Sequence, residues 1–278
     1  MKSQQEKAED FRRLHQGPCF IIPNPWDVGS ARILASLGFP ALASTGAGFA
    51  FSQGQPDFAP GMEAMLEHLR TLAAATDLPV SADLENGYGH TPEAVARTVR
   101  MAAECGVVGG SIEDATGDAA HPIYDLPIAV ERIRSAAEAV RQLPFPFTLT
   151  ARAENFLYGH PDLKDTIARL QAYQEAGADV LFAPGLQSAG DIANLVREVD
   201  RPVNVIMGFQ GVQLDLAQLA DLGVKRVSVG GSLARAAYGA LLRAGRELKE
   251  QGTFCYANNA VSGKEMNALL ASFASARS

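Results

Sequence analysis

The 278-residue sequence contains only three cysteines, and they lie far apart at Cys19, Cys105 and Cys255. No Cys-x-x-Cys pair occurs, which argues against a disulfide framework and against a cysteine-rich zinc site. Scarce and unpaired cysteines are typical of a reducing compartment. The first residues mix both charges and have no apolar stretch of a signal peptide, so we expect a cytoplasmic protein.

The sequence also lacks a cluster of lysines and arginines, and its formal net charge is −7 at pH 7. Nucleic-acid-binding proteins present a basic surface to the phosphate backbone, so we expect no nucleic-acid partner. No apolar run approaches the roughly 20 residues that span a bilayer. Anionic lipid surfaces repel an acidic protein, so we expect no membrane partner either.

What the sequence does contain is a repeated unit of a short apolar run, a turn and a longer segment with helical spacing. Eight units predict an α/β fold, a (β/α)8 TIM barrel, ahead of an open doubly wound sheet. No linker or change of composition divides the chain, so residues 1–278 are predicted to form one domain. The predicted strands are Phe20–Pro23, Ala41–Ser44, Pro79–Asp83, Val107–Glu113, Phe145–Arg152, Ala178–Ala183, Pro202–Met207 and Arg226–Gly230.

Helical spacing fills the segments between these strands, and several helices are predicted to end in a C-cap glycine. After the eighth strand the chain continues with more helix than one barrel needs, so residues 240–278 are predicted to be a C-terminal helical extension. The predicted helices are Gly29–Leu37, Met62–Thr76, Pro92–Cys105, Ile128–Gln142, Asp165–Ala176, Ala189–Val199, Leu214–Leu222, Ser232–Glu250 and Ser262–Ala274.

Carboxylates end two neighbouring strands of the predicted barrel, where the chemistry of such barrels takes place. Asp83 and Glu85 are two residues apart and point the same way on an extended chain, and Glu113 ends the next strand. A single carboxylate in such a position can be a helix N-cap or a solvated loop charge. Three that converge repel one another, and Mg²⁺ with its oxygen ligands would relieve that repulsion.

Anion-binding groups are predicted at the same edge of the barrel. Arg152 offers a planar fork for a substrate carboxylate. The backbone of Thr45, Gly46 and Ala47 offers N–H groups for a second anionic group. Gly230-Gly231-Ser232 could hold a phosphate, although such a sequence is also typical of an ordinary strand-to-helix turn.

Two mechanisms are excluded by what these strand ends lack. None of the six lysines lies at the carboxyl end of a predicted strand, whereas a Schiff-base aldolase needs a lysine amine there. A metal ion must therefore supply the electrophile. The glycine motifs of dinucleotide-binding and P-loop enzymes are absent as well.

Five segments in sequence order resemble the isocitrate lyase/phosphoenolpyruvate mutase superfamily. The resemblance covers roughly residues 11–240 and implies a (β/α)8 barrel whose last helix is swapped between subunits. It also implies a homo-oligomer, either a dimer or a dimer of dimers (a homotetramer). The segments are NPWDVGSAR (24–32), STGAG (44–48), SADLENGYG (81–89), SIED (111–114) and TARAENF (150–156).

The resemblance implies roles for individual residues. Asp83 matches the carboxylate that contacts Mg²⁺ directly, with Mn²⁺ as an alternative ion, while Glu85, Glu113 and Asp57 match residues that hold the metal mainly through water. The remaining matches concern the substrate. They are Thr45, Gly46 and Ala47 for the 2-oxo carboxylate, Arg152 as the substrate-binding arginine, Asn204 near the distal carboxylate, and Trp26 as an aromatic ring that closes the pocket, unless it belongs to the core.

The sequence departs from the resemblance in the loop after the fourth strand. The cysteine-containing motif of the isocitrate and methylisocitrate lyases and the Lys-x-Asn-Ser motif of the phosphonate enzymes are both missing from residues 115–125. His121 and Tyr124 in this loop are the candidates for the general acid or base. Glu85 stands where many members have aspartate, and a glutamate common among the lyases has no counterpart at Ala183-Pro184.

The function predicted from these observations is a Mg²⁺-dependent lyase. It would cleave a C–C bond of a small 2-oxo or 2-hydroxy di- or tricarboxylic acid through a metal-stabilised enolate, by retro-aldol cleavage or decarboxylation. One alternative is a phosphonopyruvate or phosphoenolpyruvate C–P bond mutase or hydrolase. Another is a protein that binds 2-oxo acids without catalysis.

Overall fold

Eight parallel strands form the ring at the centre of the protein. The computed structural model describes residues 2–186, 188–209 and 211–273. Each strand pairs in parallel with its neighbours in the order β1-β8-β7-β6-β5-β4-β3-β2. The Ala43 amide donates to the Pro23 carbonyl at 3.1 Å, which brings the first and second strands together. The predicted (β/α)8 barrel is therefore confirmed.

All eight predicted strands are present, each somewhat shorter than its apolar run. The strands are β1 (Phe20–Ile22), β2 (Leu42–Ala43), β3 (Val80–Asp83), β4 (Gly109–Glu113), β5 (Thr148–Arg152), β6 (Val180–Phe182), β7 (Val203–Ile206) and β8 (Arg226–Ser228).

Helices surround the ring, and within the described residues each predicted helix is present with shifts of a few residues at its ends. The helices are α1 (Gln4–Leu14), α2 (Val28–Ser36), α3 (Gly46–Ser52), α4 (Met62–Ala75), α5 (Pro92–Glu104), α6 (Leu126–Arg141), α7 (Leu163–Ala176), α8 (Ala189–Arg197), α9 (Leu216–Asp221), α10 (Ser232–Gln251) and α11 (Gly263–Ala271).

Two helices, α1 and α3, were not predicted from the sequence. The predicted turn at Thr45–Gly48 is instead the start of α3, where the Thr45 hydroxyl oxygen accepts the Gly48 amide at 3.3 Å. Helix α1 has few apolar residues and begins with a capping box at Ser3. The last residue of the predicted helix Ser262–Ala274 lies outside the described residues.

The interior of the barrel is unusually polar. Barrel interiors are mostly filled by branched apolar side chains. In this protein Ser81, Thr150, Asn204, Arg226 and Ser228 are all buried, and they lie on the strands themselves. The apolar core lies mainly between the outer face of the ring and the helices. The polar interior leaves a hydrophilic cavity that opens at the carboxyl ends of the strands.

The C-terminal helices contact little of the barrel. In α10, which has 20 residues, Ala234 is the only buried residue, and Leu241 and Leu242 are 65% and 58% exposed. Helix α11 returns to pack near α2, where the Arg32 guanidinium lies over the Phe273 ring. Across the described residues, we find no helix with the length and apolar composition of a membrane span.

A buried histidine couples the stability of the barrel to pH. The His68 ring on α4 is stacked on Phe49 with 4.1 Å between ring centroids. Burial lowers the pKa of His68 to about 4. The unfolded chain binds a proton at this residue below about pH 6.5, whereas the folded chain stays neutral down to about pH 4. The contribution of His68 is therefore fully present above pH 6.5 and is lost as the pH falls towards 4.

We expect His68→Phe to flatten the acid side of the stability profile, because phenylalanine keeps the stacking and binds no proton. The wild-type free energy of unfolding should fall by up to about 3 kcal/mol more than that of the variant between pH 7 and pH 4. Urea unfolding followed by circular dichroism measures this difference. The exposed His160→Gln variant should keep the wild-type profile, and an unchanged profile in His68→Phe would contradict the assignment.

Candidate active site

A cavity of about 490 Å³ opens at the carboxyl ends of the strands. Its wall brings together most of the residues predicted to form the site. The predicted residues that line it are Thr45, Gly46, Ala47, Asp57, Asp83, Glu85, Glu113, Arg152 and Asn204. The carboxyl ends of parallel strands meet at one mouth, so residues far apart in sequence face one another here.

Arg152, the last residue of β5, forms ion pairs with three carboxylates in this wall. Its Nη1 lies 3.2 Å from Asp83 and 3.0 Å from Glu113, and its Nε donates to Glu154 at 2.9 Å. Burial alone would lower the pKa of Arg152, but the charges of Glu154, Glu113 and Asp83 raise it above its usual value. The guanidinium is thus permanently charged, and its position is fixed from three sides.

Carboxyl groups nevertheless outnumber guanidinium groups around Arg152. Burial raises the pKa of Glu113 well above its usual value in spite of the Arg152 charge. Burial, followed by the charges of Asp83 and Asp57, raises the pKa of Glu85 to about 8. These shifts mean that, without a further cation, some carboxyl groups of the wall hold a proton at neutral pH, and a cation that binds here would take the place of that proton.

The first turn of α3 lies directly against these carboxylates. The Gly46 amide donates to Asp83 Oδ2 at 3.0 Å. A β-carbon at Gly46 would lie 3.1 Å from Glu85 Oε1, so glycine allows the backbone to approach the carboxylates this closely. The Thr45–Ala47 segment that was predicted to bind an anion therefore lies at the cavity, where its Gly46 amide already donates to Asp83.

Glu85 itself lies in a strained turn after β3. Its φ is +49°, and the φ of Tyr88 is +53°, both in the left-handed region that non-glycine residues seldom adopt. Arg132 on α6 holds this turn by donating to the carbonyls of Gly89, at 2.8 Å, and Asn86. Such strain persists only when the surroundings hold it, and it is common at functional sites.

A buried hydrogen-bond network holds Glu154, one of the ion-pair partners of Arg152. The Glu154 amide donates to Asp114 Oδ1 at 2.8 Å, and the Tyr173 hydroxyl donates to Asp114 Oδ2 at 2.6 Å. Arg169 donates to the same Asp114 oxygen at 3.2 Å. The network fixes Glu154 and, through it, the Arg152 guanidinium.

The donor set of the wall fits a hard divalent cation, since the group consists of carboxylate oxygens with an excess of negative charge. Among the described residues, no three histidine, cysteine, aspartate or glutamate side chains converge closely enough to ligate one ion directly. A cation at this wall would therefore contact few carboxylates and reach the others through water. Mg²⁺ accepts this arrangement, since it usually keeps several waters.

The two residues predicted to act as acid or base lie away from the cavity. His121 is at the exposed tip of a loop that the Ala115–Ile123 bridge closes, with its side chain 85% exposed. The Tyr124 hydroxyl lies 2.6 Å from His90 Nδ1, and its ring packs against the Arg132 guanidinium. Neither lines the cavity. Without the lyase motif this loop folds back on itself as a short hairpin.

The other candidates take mixed positions. Trp26 is partly buried outside the cavity, where it packs against Gly48. Asn204 lies deep in the cavity and donates to the Ser228 hydroxyl at 3.0 Å. Asp57 lies exposed at the mouth, on the loop after α3.

Tyr158 and Arg235 are two of the cavity residues that the sequence analysis did not single out. Tyr158, six residues after Arg152, lines the wall, and burial followed by the charges of Glu113 and Glu154 raises its pKa to about 12. Arg235, in the first turn of α10, lines the mouth with its guanidinium 4.7 Å from the centre of the Phe209 ring. Both follow strand ends closely, which is the signal that could have identified them.

The carboxylate-rich mouth and the ion-paired Arg152 lie at the end of the barrel where enzymes of this fold carry out their chemistry. The family model for phosphoenolpyruvate phosphomutase matches residues 11–249. The chain therefore belongs to this family and to the isocitrate lyase/phosphoenolpyruvate mutase superfamily. The prediction of a carbon–carbon lyase of this superfamily is confirmed as a class.

Several relatives illustrate the range of the family. A solved structure from Burkholderia cenocepacia J2315 is 60% identical, covers 96% of each chain and superposes with a TM-score of 0.95. The oxaloacetate decarboxylase of Chromohalobacter salexigens is 32% identical over 90% of this chain and 86% of its own. A 2,3-dimethylmalate lyase structure is 26% identical, with coverage of 100% and 96% and a TM-score of 0.84.

The network behind Arg152 leads to a stability prediction. We expect Tyr173→Phe to lower the free energy of unfolding by about 1–3 kcal/mol, because it leaves a buried Asp114 oxygen without its hydroxyl donor. Urea unfolding measures the change. Tyr238→Phe removes the same atom from a half-buried helix residue and should stay within about 0.5 kcal/mol of wild type. Equal losses in both variants would contradict the role of the network.

Proposed function

We propose that the protein is a Mg²⁺-dependent lyase that cleaves a C–C bond of a small 2-oxo or 2-hydroxy di- or tricarboxylic acid through an enolate. The observation that carries the proposal is the wall of carboxylates around Arg152, which combines a surplus of negative charge with a fixed guanidinium. The names of the relatives support it, since oxaloacetate decarboxylase and 2,3-dimethylmalate lyase act on small acids of this kind.

Asp83 would hold the cation directly, and Glu85, Glu113 and Asp57 would hold it through water. When bound, Mg²⁺ or Mn²⁺ supplies a Lewis acid that stabilises negative charge on the 2-oxo group as it becomes an enolate. The surplus of carboxyl groups supports this assignment, because these groups favour binding of a cation. The Thr45–Ala47 turn would contact the substrate carboxylate beside it.

Arg152 and Arg235 bind and orient the substrate in this proposal. Arg152 lines the cavity, and its Nη2, the nitrogen outside the three ion pairs described above, would donate to one substrate carboxylate. Arg235 lies at the mouth on the first turn of α10, where it could hold the distal carboxylate. Two cations at different depths would select a diacid and align the bond that breaks.

The proton that completes the reaction would come from Tyr158. In decarboxylation of a 2-oxo acid, CO₂ leaves and the electron pair of the broken C–C bond passes to the 2-oxo fragment as an enolate. In retro-aldol cleavage of a 2-hydroxy acid, a carboxylate of the wall accepts the hydroxyl proton as the 2-oxo product forms, and the electron pair passes to the α-carbon of the other fragment as the enolate of its carboxylate. In both reactions the Tyr158 hydroxyl transfers its proton to the enolate carbon. The raised pKa of Tyr158 keeps this proton in place at neutral pH. Solvent at the open mouth then returns a proton to the phenolate.

The assembly of the protein is also part of the proposal. The exposed leucines of α10 support a homo-oligomer, a dimer or dimer of dimers, in which this helix packs on a neighbouring subunit. Residues 1–278 would act as one barrel domain with a helical extension over 240–278. The scarce and unpaired cysteines favour a cytoplasmic location. The names of the relatives favour small carboxylates as the binding partners.

A panel of acids tests the reaction. Oxaloacetate, 2-methylisocitrate, 2,3-dimethylmalate and phosphonopyruvate are incubated with the protein and Mg²⁺, and the products are identified by NMR. We expect C–C cleavage of one of the three carboxylic acids, abolished by EDTA. Phosphate release from phosphonopyruvate would instead favour a C–P bond enzyme. Tight binding without any product would favour a protein that only binds 2-oxo acids.

We expect Tyr158→Phe to lower kcat about 10²-fold or more while KM changes little, because a general acid acts in the transition state rather than in binding. Steady-state kinetics with the acid identified by the panel measures both constants. Tyr124→Phe removes the same hydroxyl from a tyrosine outside the cavity and should keep the wild-type kcat. A wild-type kcat in Tyr158→Phe together with a reduced kcat in Tyr124→Phe would contradict this assignment. It would place the acid/base role on Tyr124 in the loop after β4.

A further inference from the structure

A second buried arginine lies deeper in the barrel than Arg152, and its surroundings differ. Arg226, the first residue of β8, is in register with Asn204 on β7 and is only 5% exposed. Its side chain crosses the interior to Thr150 on β5, where Nη2 donates to the hydroxyl at 2.9 Å. Arg226 also lines the cavity below the carboxylate wall.

Every partner of the Arg226 guanidinium is neutral. Its Nε donates to Asn204 Oδ1 at 2.9 Å, and its Nη1 lies 3.3 Å from His15 Nε2. Burial and the Arg226 charge lower the pKa of His15 to about 3, so this imidazole carries no charge. His15 Nδ1 donates to the Phe11 carbonyl at 2.9 Å, which leaves Nε2 as an acceptor for the guanidinium.

The charge of Arg226 therefore has no counter-ion among the residues that the structure describes. Within residues 2–186, 188–209 and 211–273, no carboxylate lies at ion-pair distance from it, whereas Arg152 has three. Burial without a compensating charge lowers the pKa of Arg226 to about 9. An isolated charge is costly to bury, so an anion beside it would be stabilising.

The groups next to Arg226 in the cavity can donate to an anion. A guanidinium has five N–H groups, and the three contacts above leave two of them free. The Ser228 hydroxyl oxygen accepts from Asn204, and its hydrogen finds no acceptor in the part of the chain that the structure describes. Ser81 and Ser111 line the same part of the cavity.

We propose that Arg226 and Ser228 form a small-anion site at the floor of the barrel, distinct from the carboxylate wall and Arg152 above it. The ligand is a group with a single negative charge, either a free inorganic anion such as chloride or the terminal carboxylate of a diacid that enters the cavity. The surplus negative charge of the wall repels anions that lack a cation beside them, whereas the floor attracts them.

Chloride is the probe, and the width of its ³⁵Cl NMR line reports binding, because a bound quadrupolar ion relaxes quickly. The buffer contains EDTA, so that binding through Mg²⁺ at the wall makes no contribution and the outcome does not depend on the proposed lyase activity. Wild type should broaden the chloride line in a saturable way. The broadening by Arg226→Met should be at least fivefold smaller than that by wild type, and the broadening by Ser228→Ala should be about threefold smaller.

Arg70→Gln is the matched control, since it removes the same charge from an exposed residue on α4 and should keep the wild-type broadening. Broadening that is equal in wild type and Arg226→Met would overturn the proposal. If Arg226→Met does not fold, Ser228→Ala decides, and an unchanged line width in that variant overturns it in the same way.

Succinate then separates the two sources of the anion. If succinate abolishes the broadening by wild type, the floor receives the carboxylate of a diacid. If the broadening persists in saturating succinate, the floor holds a free inorganic anion. Both results support a small-anion site, and absence of saturable broadening by wild type together with no succinate binding by calorimetry overturns it.

Discussion

The ion pairs between Arg152 and the carboxylates of Asp83, Glu113 and Glu154 are the interaction on which the candidate site depends. They join the ends of three consecutive strands, β3, β4 and β5, to one another and to Glu154, which lies two residues after the end of β5. Because one guanidinium cannot neutralise the whole wall, the same contacts that hold the site together also favour a divalent cation. The buried Asp114 network behind Glu154 keeps this arrangement rigid.

The barrel holds two buried arginines in opposite electrostatic settings. Arg152 lies among carboxylates at the rim, whereas the contacts of Arg226 within the described part of the chain are all to neutral groups at the floor. The rim suits a metal ion with a chelating acid, and the floor suits a single negative charge. This gradient of charge along one cavity, made possible by the polar interior, gives a diacid a preferred orientation within the barrel.

Much of the fold and the carboxylate wall could be predicted from the sequence, because strand ends and glycine caps are local signals. Asp83, Glu85, Glu113 and Arg152 were located by their positions at strand ends, and all line the cavity. Burial and long-range pairing could not be predicted in this way. The neutral partners of Arg226 lie more than 20 positions away in the sequence, and the loop with His121 turns outward through a bridge that no local pattern marks.

Calorimetric titration of oxalate tests the central claim most directly, since oxalate mimics the enolate of a 2-oxo acid and its binding does not depend on which acid is the substrate. The titration is made with Mg²⁺ and again with EDTA. The account predicts saturable binding that requires the metal in wild type and is lost in Asp83→Ala. No binding with Mg²⁺, or equal binding in EDTA, would contradict a metal-assisted enolate site and leave the superfamily relationship as one of fold alone.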